Sequence, residues 1–540
     1  MSGGWRRGLL FLAACLLLLG GARPASAADP APDTLRIAYP GLPDYLDPTL
    51  TYTSEGWMAM YNVYVPLLTY RHASGNAGSE VVPGLARSMP KIGKGGKTYT
   101  LFLRPGLRYS NGAPVRASDF EYAIKRTLRL WSGGSSLYYD IVGARRYQRT
   151  KRGGIPGILT DNRTGKIVIH LRRPRGTFLD TLALFFAAPV PATTPMRDRT
   201  FRPPAATGPY VIGRPDFEGW TFRRNPAWEA GNGALLPQLP GGHVERIEVR
   251  TMRGVAALRA TLSGEVDWMA GLPPADRYQQ LRRKYGGTRF RSEPTLSVYY
   301  FWMNTTKPPF DDLRVRRAVN HAIDPRVMRS IYGGLIEPTQ QVLPPGMPGY
   351  RRLSLYPFDL ARARRLIAAA DPADREVTVW ADTEEPNTKA AAYYAAQLRK
   401  LGFRARLKVA PFFNYFTAIG NRSTPNLDTG WSNWFADYAH PDDFFRPVLL
   451  GDSVQPTNNN NAALFDVPAI NARIEKLGVR PLGPARERGY AALDRSVMKL
   501  APWVPYGNLT VPTIVSRRVD LGSVVLSPLI GADLTSFRFD

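Results

Sequence analysis

A chain of 540 residues is long for one hydrophobic core, so two or three domains are expected, and 44% apolar side chains is ordinary for a globular protein. Lysine and arginine outnumber aspartate and glutamate by 71 to 44, a net charge of +27, but the arginines are spread along the chain and form no dense basic tract of the kind that binds nucleic acid. Such a field could draw in anionic surfaces or ligands; the plain alternative is dispersed arginine with no such role.

The first 27 residues read as a secretory signal peptide. Arg6 and Arg7 make a positive start, Leu9 to Leu19 an apolar run, and Ala25-Ser26-Ala27 a small-residue cleavage site. No later run approaches the roughly 18 apolar residues that span a bilayer. The mature chain is therefore expected to be soluble outside the cytoplasm, with a net charge of +24 once Arg6, Arg7 and Arg23 are gone. The alternative is lipid anchoring at Cys15, the single cysteine, which follows Leu12-Ala13-Ala14. If Cys15 leaves with the leader, no disulfide, thiol nucleophile or cysteine-based metal site remains.

The mature chain opens with a strand at 34–39, then a turn-rich stretch with Asp44 and Asp47-Pro48, then helical spacing through Trp57, Met60 and Tyr61. A strand at 98–103 follows. The "KGGKT" before it lacks the glycine a phosphate loop needs, because position 91 is Lys91. Ser118 with Glu121 reads as a capping box, and Phe120, Ala123, Ile124, Thr127, Leu128 and Trp131 share one helical face. Ile167, Ile169 and Leu171 alternate in a strand, with the lone His170 on its other face, a structural residue more readily than a ligand. "PAATGPYVIGRPDFEGWTFRRNPAWEA" reads as two short strands around a turn, followed by a Gly/Pro-rich loop at 231–242, a strand at 247–249, and a helix at 255–262 stopped by Gly264.

In the second half, 297–303 reads as a buried strand. Val315, Ala318, Val319, Ala322 and Ile323 make one helical stripe that starts at Asp311-Asp312; Asp324-Pro325 opens the next helix and Gly333-Gly334 closes it. Strand, helix and strand over 376–409 predict a parallel crossover. Ligands in such sheets sit beyond the strand C-termini, which puts Trp380 and Asp382 near a crevice. A helix is expected over 485–500, then a strand-rich tail.

The stretch with most chemistry is 430–445, "GWSNWFADYAHPDDFF". Asp and Asn make a poor helix and Pro441 cannot continue one, so it reads as a strand end running into a loop. Trp431, Trp434 and Tyr438 would supply flat walls around one carboxylate, Asp437, suited to a small organic cation or a free amine. The alternative is that the rings are core and Asp437 caps the next turn.

Enzyme signatures are missing. There is neither a His-Glu-x-x-His nor a Gly-x-Ser-x-Gly motif, and the five histidines are scattered singly. Asp442 and Asp443 are adjacent, so their side chains diverge, whereas acid/base work needs a facing pair. No catalytic residue, cofactor or metal is expected; a secreted hydrolase is the least favoured reading.

Five segments in order carry a resemblance. These are "LRPGLRYSNGAPVRASDFEYAIKRTL", "ATGPYVI" with "RRNPAW", "LSGEVD", "FWMNTTKPPFDDLRVRRAVNHAID" and "NWFADYAHPDDFF". Together they resemble the extracellular solute-binding proteins of family 5, the oligopeptide- and dipeptide-binding components of ABC importers. The resemblance implies an α/β, periplasmic-binding-protein-like two-lobed fold (type II, large cluster C type) with an extra inserted domain. Lobe I would comprise 28–52, 187–277 and 506–540, the inserted domain 53–186, and lobe II 278–505. It also implies a periplasmic monomer that takes up a peptide or related amine-bearing solute by hinge closure and hands it to an ABC permease in the inner membrane. In the family's Trp-x-x-Asp block the aspartate holds a peptide's α-ammonium; here the block is Trp434 to Asp437. Other relatives bind metal complexes, opines or sugars, and a sensor accessory or envelope chaperone could use the same scaffold. Within the import reading, a basic protein would favour acidic peptides.

Overall fold

The structure, a computed structural model, describes residues 33–479 and 483–540. The expected signal peptide, 1–27, and Cys15 lie outside the described residues.

One sheet organises the molecule. Its main path runs through ten strands, in the order Arg404–Ala410, Glu376–Asp382, Thr429–Phe435, Ser297–Met303, Trp503–Val515, Trp268–Met269, Thr34–Tyr39, Arg246–Thr251, Gly219–Arg224 and Tyr210–Ile212. The hub is Trp503–Val515, 13 residues long. Its first residues pair antiparallel with Ser297–Met303, where a bulge falls between Tyr299 and Tyr300. Its last ones pair with Phe290–Pro294 and Trp268–Met269. The hub is thus shared by the two halves of a two-lobed α/β fold.

The expected crossover is present: Glu376–Asp382 and Arg404–Ala410 are parallel neighbours joined by the helix Asn387–Lys400. Two helix starts were also legible. Asp312 and Asp324 each accept a backbone N–H at an N-cap, from Arg314 and Arg326, and Pro325 takes the first helical position. The helix Gly254–Ser263 ends at Gly264 in the left-handed region.

A separate four-stranded antiparallel sheet, in the order Lys91–Gly93, Thr98–Phe102, Lys166–His170 and Ile158–Asp161, lies within residues 53–186. The "KGGKT" segment is its first hairpin turn, with Gly95 and Gly96 both at positive φ. The Ser118/Glu121 capping box is corrected: the helix runs Ala117–Arg129, and Asp119 caps it by accepting the N–H of Arg116 at 2.9 Å. The Tyr109 hydroxyl also donates to Asp119, which fixes the carboxylate at the helix start. Glu121 instead pairs with Lys125, and Trp131 lies past the helix end at positive φ. The 231–242 loop holds a short helical turn, Gly233–Leu235.

Buried charge ties these pieces together. Arg126 on that helix makes a two-pronged bond to Asp47, at 3.0 and 2.9 Å, with both side chains fully buried. Its remaining donors reach Thr49 and the carbonyls of Pro195 and Arg197. A second network runs from Asp140 through Arg175 to Glu475, Arg446 and Asp442. It fastens the first third of the chain to its last quarter.

Removing only one partner of a buried ion pair strands the other charge, at a cost of about 3–5 kcal/mol. Arg126→Leu is therefore expected to lower unfolding stability by about that amount in urea titration. Adding Asp47→Leu should restore part of it; a double variant no more stable than the single one would count against this account.

Candidate ligand-binding cleft

The strand Thr429–Phe435 is the scaffold of the site. It lies between Ser297–Met303 and Glu376–Asp382, which hold its register. Gly430 permits that close packing: a Cβ there would sit 2.8 Å from the carbonyl oxygen of Trp380. After Phe435 the chain turns, and Pro441–Phe444 forms one 3-10 turn. His440 caps that turn, accepting the N–H of Asp442. Asp437 is therefore not its cap.

Asp437 is instead the head of a small buried cluster and is 5% exposed. Its Oδ2 accepts the Tyr52 hydroxyl at 2.6 Å. Tyr52 is clasped by rings, stacked 5.5 Å from Trp57 and edge-on to Phe186 and Trp434. Beside Asp437 lies Asp443, fully buried. One Asp443 oxygen accepts the Asp437 N–H at 2.8 Å and the Trp434 indole N–H at 3.2 Å. Its other oxygen takes no donor from the protein. Asp442, the neighbour in sequence, points elsewhere, to Arg446.

Two carboxyl groups this close and this dry do not both ionise readily. Burial pushes Asp437 up to about 7, against the hydrogen bonds from Tyr52 and Asp443 that pull it down. Asp443 is pushed well above the usual carboxylate range, first by burial and then by the charge of Asp437. The two carboxyls therefore favour sharing one proton over holding two charges.

Asp437 opens onto a cavity of about 1500 Å³ between the two halves of the molecule. Trp431 and Trp434 also line it; Trp380 and Tyr438 do not. Trp380 turns its indole N–H to the carbonyl of Asn426 and carries Lys408 over its ring, 4.1 Å from the centroid. Tyr438 is fully buried. Trp431 stacks between Tyr415 and Tyr299. Sequence reasoning missed Tyr52, Tyr299 and the cavity-lining Asn458, Asn459 and Asn460. It also took the basic chain to favour acidic partners, whereas seven of the nine charged residues lining the cavity are acidic.

The cavity is shut. Arg253 crosses its mouth to an ion pair with Glu384 and a hydrogen bond to Thr383 at 3.2 Å. The Tyr45 hydroxyl reaches Asn458 at 2.9 Å, and Phe217 meets Phe413 edge-on.

A closable cavity between lobes, headed by one buried carboxylate, is a binding site by design. The family model of bacterial extracellular solute-binding proteins, family 5 (middle), matches residues 80–455. The chain belongs to that family. Among its relatives, the periplasmic murein peptide-binding protein MppA of Escherichia coli is 25% identical, over 81% of each chain. The probable di/tripeptide-binding protein 5 of Pseudomonas aeruginosa is 24% identical, over 94% of this chain and 95% of the other. DppA from Helicobacter pylori, solved in complex with the peptide STSA, superimposes with a TM-score of 0.79 at 21% identity, covering 94% and 98%. The structure of E. coli MppA gives 0.79 at 20% identity, covering 94% and 98%. MppA in its unliganded open form gives 0.60 at 23%, covering 94% and 97%. This family 5 protein is therefore a solute binder rather than an enzyme, and the Asp437–Asp443 carboxyl pair sits at the head of its cavity. No helix among the described residues is long and apolar enough to cross a membrane.

The ionisation of the pair can be followed directly. In protein with ¹³C-labelled aspartate carboxyls, Asp437 is expected to titrate near pH 7. Tyr52→Phe and Asp443→Ala, each of which removes a hydrogen bond that holds Asp437 down, should both move that midpoint up. A midpoint near 4 that neither change shifts would contradict the coupled pair.

Proposed function

We propose that the protein is the extracytoplasmic substrate-binding component of an ABC importer, capturing peptides by their free amino end. The observation that carries this reading is Asp437, a carboxylate held out of water at the head of the cavity, with rings around it and no cation of its own among the described residues. An ammonium group supplies the missing charge. Trp434 and Trp431 add flat contact area. The volume supports a peptide, because it exceeds the roughly 300–1000 Å³ of a site for a drug-sized molecule. The peptides that MppA, the P. aeruginosa protein and H. pylori DppA are named for binding agree with it.

In this reading the segments 28–52, 187–277 and 506–540 form lobe I, 278–505 forms lobe II, and 53–186 is an inserted domain that brings Trp57 and Phe186 against Tyr52. The protein works as a monomer in the periplasm, after removal of its signal peptide, and delivers its ligand to an inner-membrane permease. Open lobes admit the peptide. Contacts made only when the lobes close, such as the Arg253–Glu384 bridge, favour the shut form. A ligand shifts the equilibrium only by touching both walls.

Three outcomes are expected. Asp437→Asn should weaken binding of a peptide mixture by about 3–5 kcal/mol in isothermal titration, because a buried ammonium loses its partner. Unchanged affinity would refute the seat. The pH profile should be a bell with its top between about 7 and 8. On the acid side Asp437 takes up a proton below about 7; on the alkaline side an α-amino group loses one near 7.7–8.0. A flat profile from pH 5.5 to 8 would overturn the pairing. Finally, small-angle scattering should give a smaller radius of gyration with saturating ligand, and Arg253→Ala should leave more of the free protein open. A radius unmoved by tight binding would rule out closure.

A further inference from the structure

The charge inside the cavity runs opposite to that of the chain around it. Seven carboxylates line it, against only two cationic side chains, Arg253 and Lys389, in a protein of net charge +27. Neither cation is free. Arg253 is bound to Glu384, and Lys389 to Glu385 at 2.5 Å. A ligand carboxylate entering the shut cleft therefore meets no uncommitted positive charge among the described residues.

Four of the seven carboxylates, Asp276, Glu293, Glu384 and Glu385, have an arginine or lysine within 4 Å; Asp437, Asp44 and Glu55 have none among the described residues. Asp44 is satisfied by neutral donors only, the hydroxyls of Thr51 and Thr53 and the N–H of Tyr52, at 2.7 to 2.9 Å. The carboxylate of Glu55, half-buried in the cavity wall, has no cation within 4 Å and accepts no hydrogen bond from another side chain among the described residues; the Tyr39 hydroxyl donates to the Glu55 main-chain carbonyl instead. Its place in the first turn of the helix Ser54–Tyr61 offsets part of its charge. Burial nevertheless pushes it up to about 7, helped by Asp44 and Glu384. Glu55 follows by three residues the Tyr52 that grips Asp437, so both acidic groups stand within the span of one bound molecule.

We propose that the cleft selects ligands with two positive charges, an ammonium group at Asp437 and a second cationic group, such as a lysine or arginine side chain, at Glu55, and that it does not require a free ligand carboxylate. This deepens the peptide-capture reading and rests on Asp437 as the ammonium seat. The positive exterior does not oppose it, because exposed charges more than about 8–10 Å away are screened by salt, whereas charges inside the shut cavity are not. Discrimination arises on both sides. A cation at Glu55 gains an unshared partner, and an anion there meets Glu55, Asp44 and Glu384 together.

Isothermal titration with defined probes tests it: Ala-Lys-Ala, Ala-Ala-Ala and Ala-Glu-Ala, each with a free and an amidated C-terminus, and spermidine. The lysine peptide is expected to bind at least about tenfold tighter than the alanine peptide, and the glutamate peptide at least about tenfold weaker. Amidation should leave affinity unchanged or improve it. Glu55→Gln should bring the lysine-to-alanine ratio close to one, and Glu55→Asp should keep part of it, with thermal melts confirming that both variants fold. Equal affinity for lysine and glutamate peptides, or a tenfold loss on amidation, would overturn charge selection and leave peptide capture standing. Spermidine binding without any peptide binding would do the reverse. No binding by any probe would overturn both.

Discussion

The structure depends on keeping a carboxylate dry. Withdrawing an ion from water costs several kcal/mol even after the protein relaxes, and Asp437 is withdrawn without a cation. Three neighbours make this tolerable. Tyr52 donates a hydroxyl, Asp443 shares its proton, and rings close off solvent without adding charge. The site is thus left short of one positive charge, and in the proposed function that shortage supplies the affinity for an ammonium group. A seat already neutralised by a protein lysine or arginine would be more stable empty and less useful.

The two-lobed design supplies the other half. A fixed pocket as dry as this one would have no way in. Here the walls come from opposite halves of one sheet, and the contacts across the mouth are few and partly exposed. Arg253–Glu384, Tyr45–Asn458 and Phe217–Phe413 each contribute little in water. Such a latch can be opened without disturbing either core.

Local features were legible in the sequence. The strand-to-loop reading of 430–445, the crossover at 376–409 and the caps at Asp312 and Asp324 all rest on residues within a few positions of one another, where propensity and hydrogen-bonding geometry decide. What stayed hidden depends on distant partners. Tyr52 meets Asp437 across 385 positions, and Arg126 meets Asp47 across 79. The Asp437–Asp443 pair spans only six, but the turn at Pro441 that folds one back on the other has no fixed period. Two aromatic residues misled for a related reason. Trp380 does lie near a strand end, but its ring faces Asn426 and Lys408. Tyr438 directly follows the key aspartate, yet successive side chains at a strand end point apart. The capping box misled because Ser-x-x-Glu and Arg-x-x-Asp overlap in "RASDFE", and the Tyr109 hydroxyl favours the second.

The hub strand has a consequence for how the chain is assembled. Every other member of the large sheet precedes it in sequence, yet the two groups of strands meet only through residues 503–515 of 540. Each group can gather its own neighbours early, but they cannot be joined until nearly the whole polypeptide is available. Completion therefore requires contacts of very large sequence separation, which form slowly. A chain cut short before the hub would be left as two unjoined partial sheets, each presenting a bare edge to its surroundings.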